Sequence, residues 1–401
     1  MQKYGGAAIR MSDVKYLIGN EAVCDSPLEP YADMVCHFAA ELSDTFMKET
    51  SAKVYPDIMA FAFWCRKGNI QTLKRQFISN EKRLGRGLAF HIAPSNVPVN
   101  FAFTYLFSLL AGNATIVRVP SRSFPQVEIL CRGLKQVLEN YPEIKKRTAF
   151  VQYPANNTIT EKFCAKADVR VIWGGDETVQ EIRKCPVKPR CIDVVFADRY
   201  SLCLLDGAAV LNASDAEICK LAERFYNDTY LMDQNACSSP QLICWRNETR
   251  EAKERFWHSV AAYAKAHYPL QAASAMDKYT QMCCDSIDLE NLGAIRRVEN
   301  LLYCVELKKL PPDITGLRGK CGYFYEYALD GLTELIDVLT EKVQTITYYG
   351  ADAGEIQDFI ITNHVKGVDR IVPVGKALDI GVIWDGYDLV RMMSRIVDRN
   401  K

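Results

Sequence analysis

From about residue 84 onward, short apolar runs alternate with longer segments whose apolar positions recur every three or four residues. The runs are Leu88–Ile92, Ala114–Val119, Thr148–Val151 and Val169–Trp173, and near-continuous apolar character of this length reads as strand buried on both faces of a sheet. Phe101–Ala111 and Gln126–Asn140 carry helical spacing, as does Ala32–Glu49 upstream. The β-α-β-α order from Leu84 to about Asp206 predicts an α/β fold with a parallel, doubly wound sheet, the usual home of a dinucleotide. A second α/β segment opens near Ala208, and the first ~80 residues read as mostly helical.

Composition narrows the class. A chain of 401 residues, 49% hydrophobic and 24% charged, can bury two cores of ordinary size. Lys plus Arg and Asp plus Glu are equal at 49 each, with no basic block or aromatic-basic interleaving, so neither a nucleic-acid stripe nor a polybasic membrane patch is expected. The first eight residues lack the apolar core of a signal peptide and no later run is long enough to span a bilayer, which points to the cytoplasm. The fifteen cysteines fall at irregular intervals without a CxxC pair, and Cys283 and Cys284 are adjacent, so most read as buried thiols and not as a disulfide framework. Five histidines, none at metal-ligand spacing from another, argue against a metal site.

Four motifs carry possible chemistry. The run Phe225 to Pro240 sets Cys237 among small and amide residues just before an apolar strand-like segment, Gln241–Trp245. A thiolate in such a turn can attack a thioester or aldehyde carbonyl, and nearby N–H groups can hold the oxyanion. His91 to Asn100 follows a strand with two prolines around Asn96, whose amide is either an oxyanion donor or part of a proline-shaped connection. Arg118, Ser121 and Arg122 stand at or just past the carboxyl end of a strand, as phosphate contacts or as ordinary surface residues. Gly174-Gly175 joins a strand to a helix start, where backbone N–H groups can approach a diphosphate, although most such turns are only turns. His91 itself reads as a hydrogen-bonded structural histidine.

Taken in order, these parts resemble the aldehyde dehydrogenase superfamily. From Tyr55 to Asp398 the chain more specifically resembles its acyl-CoA reductase branch, the LuxC family of fatty acid reductases, through Ala60–Lys67, Ala93–Val99, Phe196–Ser201, the Cys237 run and Asp369–Asp379. The resemblance implies an aldehyde dehydrogenase-like fold divided into a helical segment (1–83), a Rossmann-like cofactor domain (84–206), a catalytic domain (207–380) and a C-terminal segment (381–401) returning toward the cofactor domain. It implies Cys237 as nucleophile, Asn96 as oxyanion donor, Arg118, Ser121, Arg122, Gly174 and Gly175 as cofactor contacts, and Glu326 as a ribose ligand, with an exposed strand-edge glutamate as the competing account of Glu326.

Two departures from the superfamily pattern shape the functional expectation. Where hydrolytic relatives carry a glutamate base the similar position here is Phe196, so water is a poor second nucleophile and the acyl-enzyme would survive for hydride transfer; another carboxylate a few residues away could fill the same space. Arg122 stands where NAD-using relatives often carry glutamate, and would attract a 2′-phosphate. The implied activity is NADPH-dependent reduction of a long-chain acyl thioester, acyl-CoA or acyl-protein, to the fatty aldehyde through an S-acyl-cysteine. An oxidative aldehyde dehydrogenase, a thiol acyltransferase or acyl carrier without hydride chemistry, and an inactive scaffold remain as alternatives. The resemblance also implies an acyl-protein synthetase as partner and a homo-oligomer.

Overall fold

The computed structural model describes residues 14–94, 97–120, 122–154 and 157–399. The chain divides into two compact units, the first comprising residues up to Ala197 together with Val382 onward, the second running from Asp198 to Gly381.

The first unit is built on a six-stranded sheet of β1 (Lys15–Ile18), β3 (Leu88–Ile92), β4 (Ala114–Arg118), β5 (Thr148–Gln152), β6 (Val169–Trp173) and β7 (Ile192–Phe196), in the order β1-β5-β4-β3-β6-β7. Strands β3 to β7 are parallel and β1 closes one edge antiparallel. Their apolar runs bury Phe90, Ile116, Val151 and Ile172 in one core. Strand order reverses at β3, so the loops leaving β3 and β6 flank the crevice where open α/β sheets bind ligands.

Helices α1 (Asp33–Lys48), α2 (Pro56–Trp64) and α3 (Lys67–Phe77) belong to this unit, with α4 (Asn100–Leu110), α5 (Pro125–Leu138), α6 (Pro142–Lys145), α7 (Asn157–Lys166) and α8 (Asp176–Arg183) as the connections. Helix α4 is buried along its whole length. Gly112 turns the chain from α4 into β4 at φ +88°, and a Cβ there would collide with the Leu28 carbonyl, so this turn requires glycine.

The second unit holds a seven-stranded sheet in the order β10-β11-β12-β9-β8-β13-β14. Its strands are β8 (Tyr200–Asp206), β9 (Leu242–Arg246), β10 (Leu292–Val298), β11 (Leu302–Leu307), β12 (Tyr323–Ala328), β13 (Val343–Tyr349) and β14 (Arg370–Pro373). All neighbours are parallel except the β10–β11 pair. The connections are α9 (Gly207–Asn212), α10 (Asp215–Thr229), α11 (Arg250–His267), α12 (Ala272–Asp288) and α13 (Ala353–Thr362). A capping box between Ser214 and Glu217 starts α10, satisfying two otherwise orphan N–H groups. One core gathers Phe225, Trp245, Phe256 and Trp257, and another gathers Tyr200, Leu204, Tyr303 and Tyr325.

The break between units falls at Ala197/Asp198, upstream of the sequence boundary at residue 206. Strand β8 hydrogen-bonds to β13 and β9 in the second sheet, because Tyr200 donates its N–H to the Lys342 carbonyl at 2.8 Å just as the chain leaves β7. Beyond residue 381 the chain adds the β15–β16 hairpin (Ile383–Trp384, Tyr387–Asp388), α14 (Leu389–Met392) and β17 (Ser394–Ile396), which pairs antiparallel with β2 (Arg83–Gly85) in the first unit.

Candidate active site

Cys237 lies in the loop that carries the chain from α10 into β9. After one 3-10 turn, Tyr230–Met232, the backbone takes left-handed conformations at Asp233 (φ 50°) and Gln234 (φ 58°). Such conformations are rare for side-chain-bearing residues and persist only when their surroundings hold them. Two buried amides do so. Gln234 Oε1 accepts the N–H groups of Gly322 (2.7 Å) and Tyr323 (3.0 Å), and its Nε2 donates to the Tyr323 carbonyl (2.9 Å). Gln241 Oε1 accepts from Gly319 N–H (2.9 Å) while its Nε2 donates to the Gln234 carbonyl (3.0 Å). The Cys237 carbonyl accepts from Ser201 Oγ at 2.7 Å, and Ser239 Oγ donates to the Asp228 carbonyl at 2.7 Å. The loop is thereby fixed to β8, to α10 and to the approach of β12.

The thiol is half-buried beside a cavity of about 280 Å³ at the amino ends of β8, β9 and β12, lined in part by Arg199, Tyr200, Asn235, Gln241, Arg318 and Lys320. Three cations and no carboxylate line it among the described residues. Two of the cations are held from behind: Asp198 grips Arg318 in a bidentate pair at 3.1 and 2.9 Å, and Asp369 pairs with Arg199 at 2.5 Å. Lys320 is exposed. Burial pushes Cys203 and Cys131 up to about 12 and Cys164 up to about 11, which keeps those three protonated. None of the fifteen cysteines is in a disulfide, and no group of His, Cys, Asp or Glu able to hold a metal occurs among the described residues.

Behind the loop, Asp228 is 1% exposed and accepts N–H groups from Gly375 (2.6 Å) and Ala377 (2.9 Å), while Arg370 donates to the carbonyls of Ala377, Lys376 and Asp379. Burial outweighs the two donors and pushes the Asp228 carboxyl up to about 7. None of Gln234, Gln241, Asp228 or Arg318 was singled out in the sequence, although Asp228 and Gln234 stand within the Cys237 run and Gln241 just after it.

In the first unit, Arg118 and the Gly174-Gly175 turn stand at the carboxyl ends of β4 and β6. Gly174 leaves β6 with its N–H on the Phe196 carbonyl (3.1 Å), and Gly175 caps α8 with nothing within 4 Å of where a Cβ would stand. The first turn of α8 carries Asp176 and Glu177, so a phosphate there would meet N–H groups and carboxylates together. Arg118 ends β4 with its guanidinium 4.4 Å from the Tyr153 ring centroid, and Arg122 is exposed, 5.2 Å from that of Phe124. Asn96 and Ser121 lie outside the described residues. The Phe196 ring stacks on Trp173 with centroids 3.7 Å apart and planes at 19°. Trp173 Nε1 donates to Thr104 Oγ1 (3.4 Å), which also meets His91 Nδ1 at 2.7 Å. His91 is fully buried with Nε2 unpartnered among the described residues, and burial pushes its pKa down to about 3.

Glu326 requires a correction. It is 3% exposed on β12, and its Oε2 accepts the indole N–H groups of Trp257 (2.9 Å) and Trp245 (3.2 Å) while Arg296 approaches Oε1 at 3.4 Å. A buried carboxylate so engaged is neither an exposed edge residue nor on offer to a ribose, since releasing its donors would strand two buried indoles.

A doubly wound sheet with a switch-point crevice, followed by a second α/β unit whose cysteine-bearing loop precedes a central strand, is the architecture of the aldehyde dehydrogenases. The structure is similar to a 1-pyrroline-5-carboxylate dehydrogenase mutant from Thermus thermophilus, with a TM-score of 0.63 at 12% identity over 91% of this chain and 81% of that one. It is also similar to a Thermus 1-pyrroline-5-carboxylate dehydrogenase with bound NAD, at TM-score 0.59 and 13% identity over 90% of this chain and 80% of that one. Residues 69–305 match the acyl-CoA reductase (LuxC) family, and the chain belongs to it. A relative, the long-chain acyl-protein thioester reductase of Vibrio harveyi, is 23% identical over 323 residues, 78% of this chain, and the chain spans 63% of that relative's length.

Proposed function

We propose that this protein reduces a long-chain acyl thioester to the fatty aldehyde, with Cys237 as nucleophile and NADPH as reductant. The observation that carries the reading is the placement of Cys237, a half-buried thiol held on a fixed loop beside a cation-lined cavity, in a chain of the acyl-CoA reductase family. The relative's printed name supplies the substrate class, acyl-protein thioester, with acyl-CoA as the second donor to compare and an acyl-protein synthetase as the partner that would charge the first.

In the first half-reaction the Cys237 sulfur adds to the thioester carbonyl, the carrier sulfur leaves as thiolate and takes up a proton, and the acyl group stays on Cys237. Backbone N–H groups of the loop and the amide of Asn96 are the donors proposed for the oxyanion. The cofactor elements fit a dinucleotide: the switch-point crevice, the uncrowded backbone at Gly175, Arg118 at the end of β4 and Arg122 beyond it. Gly174, Gly175, Arg118, Ser121 and Arg122 would hold it, with the Arg122 charge favouring a 2′-phosphate. When bound, a reduced nicotinamide would supply hydride to the acyl carbon, and the resulting thiohemiacetal on Cys237 would expel thiolate and release aldehyde. The Trp173–Phe196 stack places hydrocarbon, not a carboxylate base, at the ends of β6 and β7, which supports reduction over hydrolysis.

The test follows radiolabelled long-chain acyl-CoA with purified protein, without nucleotide and then with NADPH or NADH. The expected result is hydroxylamine-sensitive label on Cys237 that NADPH discharges as aldehyde, with both label and turnover lost in Cys237→Ala. Label that neither nucleotide discharges would sink the reductase reading in favour of an acyl carrier or transferase. Free acid as the product would favour hydrolysis.

A further inference from the structure

Cys237 stands at a corner of a β-turn. The Ser239 N–H donates to the Ala236 carbonyl at 3.0 Å, which makes Cys237 and Ser238 the two central residues. Neither has a positive φ, which excludes the type II turn and its inverted central peptide. The peptide joining Cys237 to Ser238 is held a second time, from the strand beside it. Ser201, on β8 and fully buried, donates from Oγ to the Cys237 carbonyl at 2.7 Å, while its own carbonyl accepts the Gln241 N–H at 2.9 Å. Ser201 is thus fixed at its backbone by β9's approach and reaches the turn with its side chain.

Of the adjacent pair that opens β8, Tyr200 lines the cavity beside the thiol and Ser201 does not, so the carbonyl that Ser201 holds is turned from the cavity. In a trans peptide the N–H points opposite to the carbonyl, which directs the Ser238 N–H away from Ser201. Ser238 is 2% exposed, and its N–H has no partner among the described residues. Buried N–H groups are seldom left unpaired, and this one is a donor in want of an acceptor.

We propose that Ser201 is a positioning residue for acyl transfer, holding the Cys237–Ser238 peptide so that the Ser238 N–H meets the oxyanion of the tetrahedral adduct on Cys237. The inference rests on the proposed thioester chemistry and adds to it a particular donor and the side chain that aims it. As the Cys237 sulfur bonds the acyl carbon, the carbonyl π pair moves onto oxygen, where the N–H stabilises it. The pair then returns, the bond to the carrier sulfur breaks, and the carrier leaves as thiolate and takes up a proton. Ser201 touches none of the reacting atoms. Without its hydroxyl the Cys237 carbonyl loses this donor, the peptide tilts, and the N–H no longer points where charge develops.

Two reactions of the same thiol separate aim from stability. Acylation by a long-chain acyl-CoA passes through an oxyanion, whereas iodoacetamide is attacked at its methylene carbon, expels iodide and forms none. Both are followed at the Cys237 peptide in single-turnover experiments. Ser201→Ala should slow acylation roughly tenfold, less than the loss of a whole oxyanion donor, with alkylation within about twofold of the parent rate. Ser201→Cys, of similar size but a weak donor, should do the same and keeps the test decisive if the alanine variant folds poorly. Slowing of both reactions in equal proportion overturns the proposal, because only a displaced loop would do that. So does acylation at the parent rate in both variants. A parent protein that takes up no acyl label overturns the thioester reading itself, and this inference with it.

Discussion

Gln234 shows how much of the geometry of the Cys237 loop depends on a residue with no chemistry of its own. Its side-chain amide satisfies two N–H groups and one carbonyl in the strand approach at residues 322–323, and it sits in a left-handed conformation one residue past Asp233. Gly322 lies opposite at φ +89°, where a Cβ would strike the Tyr230 ring and the Leu301 carbonyl, so the backbone reaches the amide only because glycine is there. Gln234→Leu should cost about 3 kcal/mol, the penalty for leaving buried partners unmade, read as a lower urea midpoint. An unchanged midpoint would mean that water or a neighbour replaces the amide.

Two buried titrating groups give the units opposite responses to acid. His91 in the first unit is held neutral by burial, with its pKa near 3 against an ordinary 6.5, so the unfolded chain binds the extra proton between these values. Its contribution is full above pH 6.5 and is lost as pH falls. Asp228 in the second unit is shifted up to about 7 from 3.8, so there the folded state holds the extra proton, and its contribution is lost as pH rises from about 4 to 7. His91→Gln should soften the loss of stability on going from pH 7 to pH 5, and Asp228→Asn should soften the loss on going from pH 5 to pH 7. Denaturant melts at the two pH values check both, and parallel shifts in parent and variant would refute the assignment.

At the scale of elements, what could be read from the sequence was what local pattern decides. The run Val169–Trp173 forms β6 with those same bounds, and helices expected over Phe101–Ala111 and Gln126–Asn140 form over Asn100–Leu110 and Pro125–Leu138. Apolar runs between turn residues can do little except pair as buried strands, and the Cys237 turn could be picked out because small and amide residues precede an apolar strand. What stayed hidden depends on partners distant in sequence. Gln241 meets Gly319, Asp228 meets Gly375, and Glu326 meets Trp245 and Trp257. No window of adjacent residues contains those meetings, and a glutamate on a strand gives no hint that two indoles await it. Helix α12 was obscured for a related reason: its buried positions, Lys278 and Asp285, are ionic, so the polar side of its periodicity is the inner one.

For the molecule as a whole, the first unit is discontinuous in sequence. Residues 198–381 are inserted into it, and the last stretch closes it: Arg83 donates to the Arg391 carbonyl (2.7 Å), Arg86 to that of Met392 (3.0 Å), and buried Asn113 to that of Met393 (2.9 Å). Ending the chain at Gly381 would remove these acceptors, leaving Asn113 Nδ2 only the longer bond to the Ser108 carbonyl at 3.4 Å. Hydrogen exchange on that truncation should show lost protection in β2, β4 and α4 with β8 and β9 still protected, and full protection of α4 would contradict this view. The same arrangement sets an order of birth. As the polypeptide leaves the ribosome, the first unit must wait for the whole inserted unit to be made, on the order of ten seconds or more at ordinary elongation rates, with β2 and α4 still uncapped. The inserted unit, continuous in sequence, needs no such wait, so the half that carries Cys237 is the first able to mature.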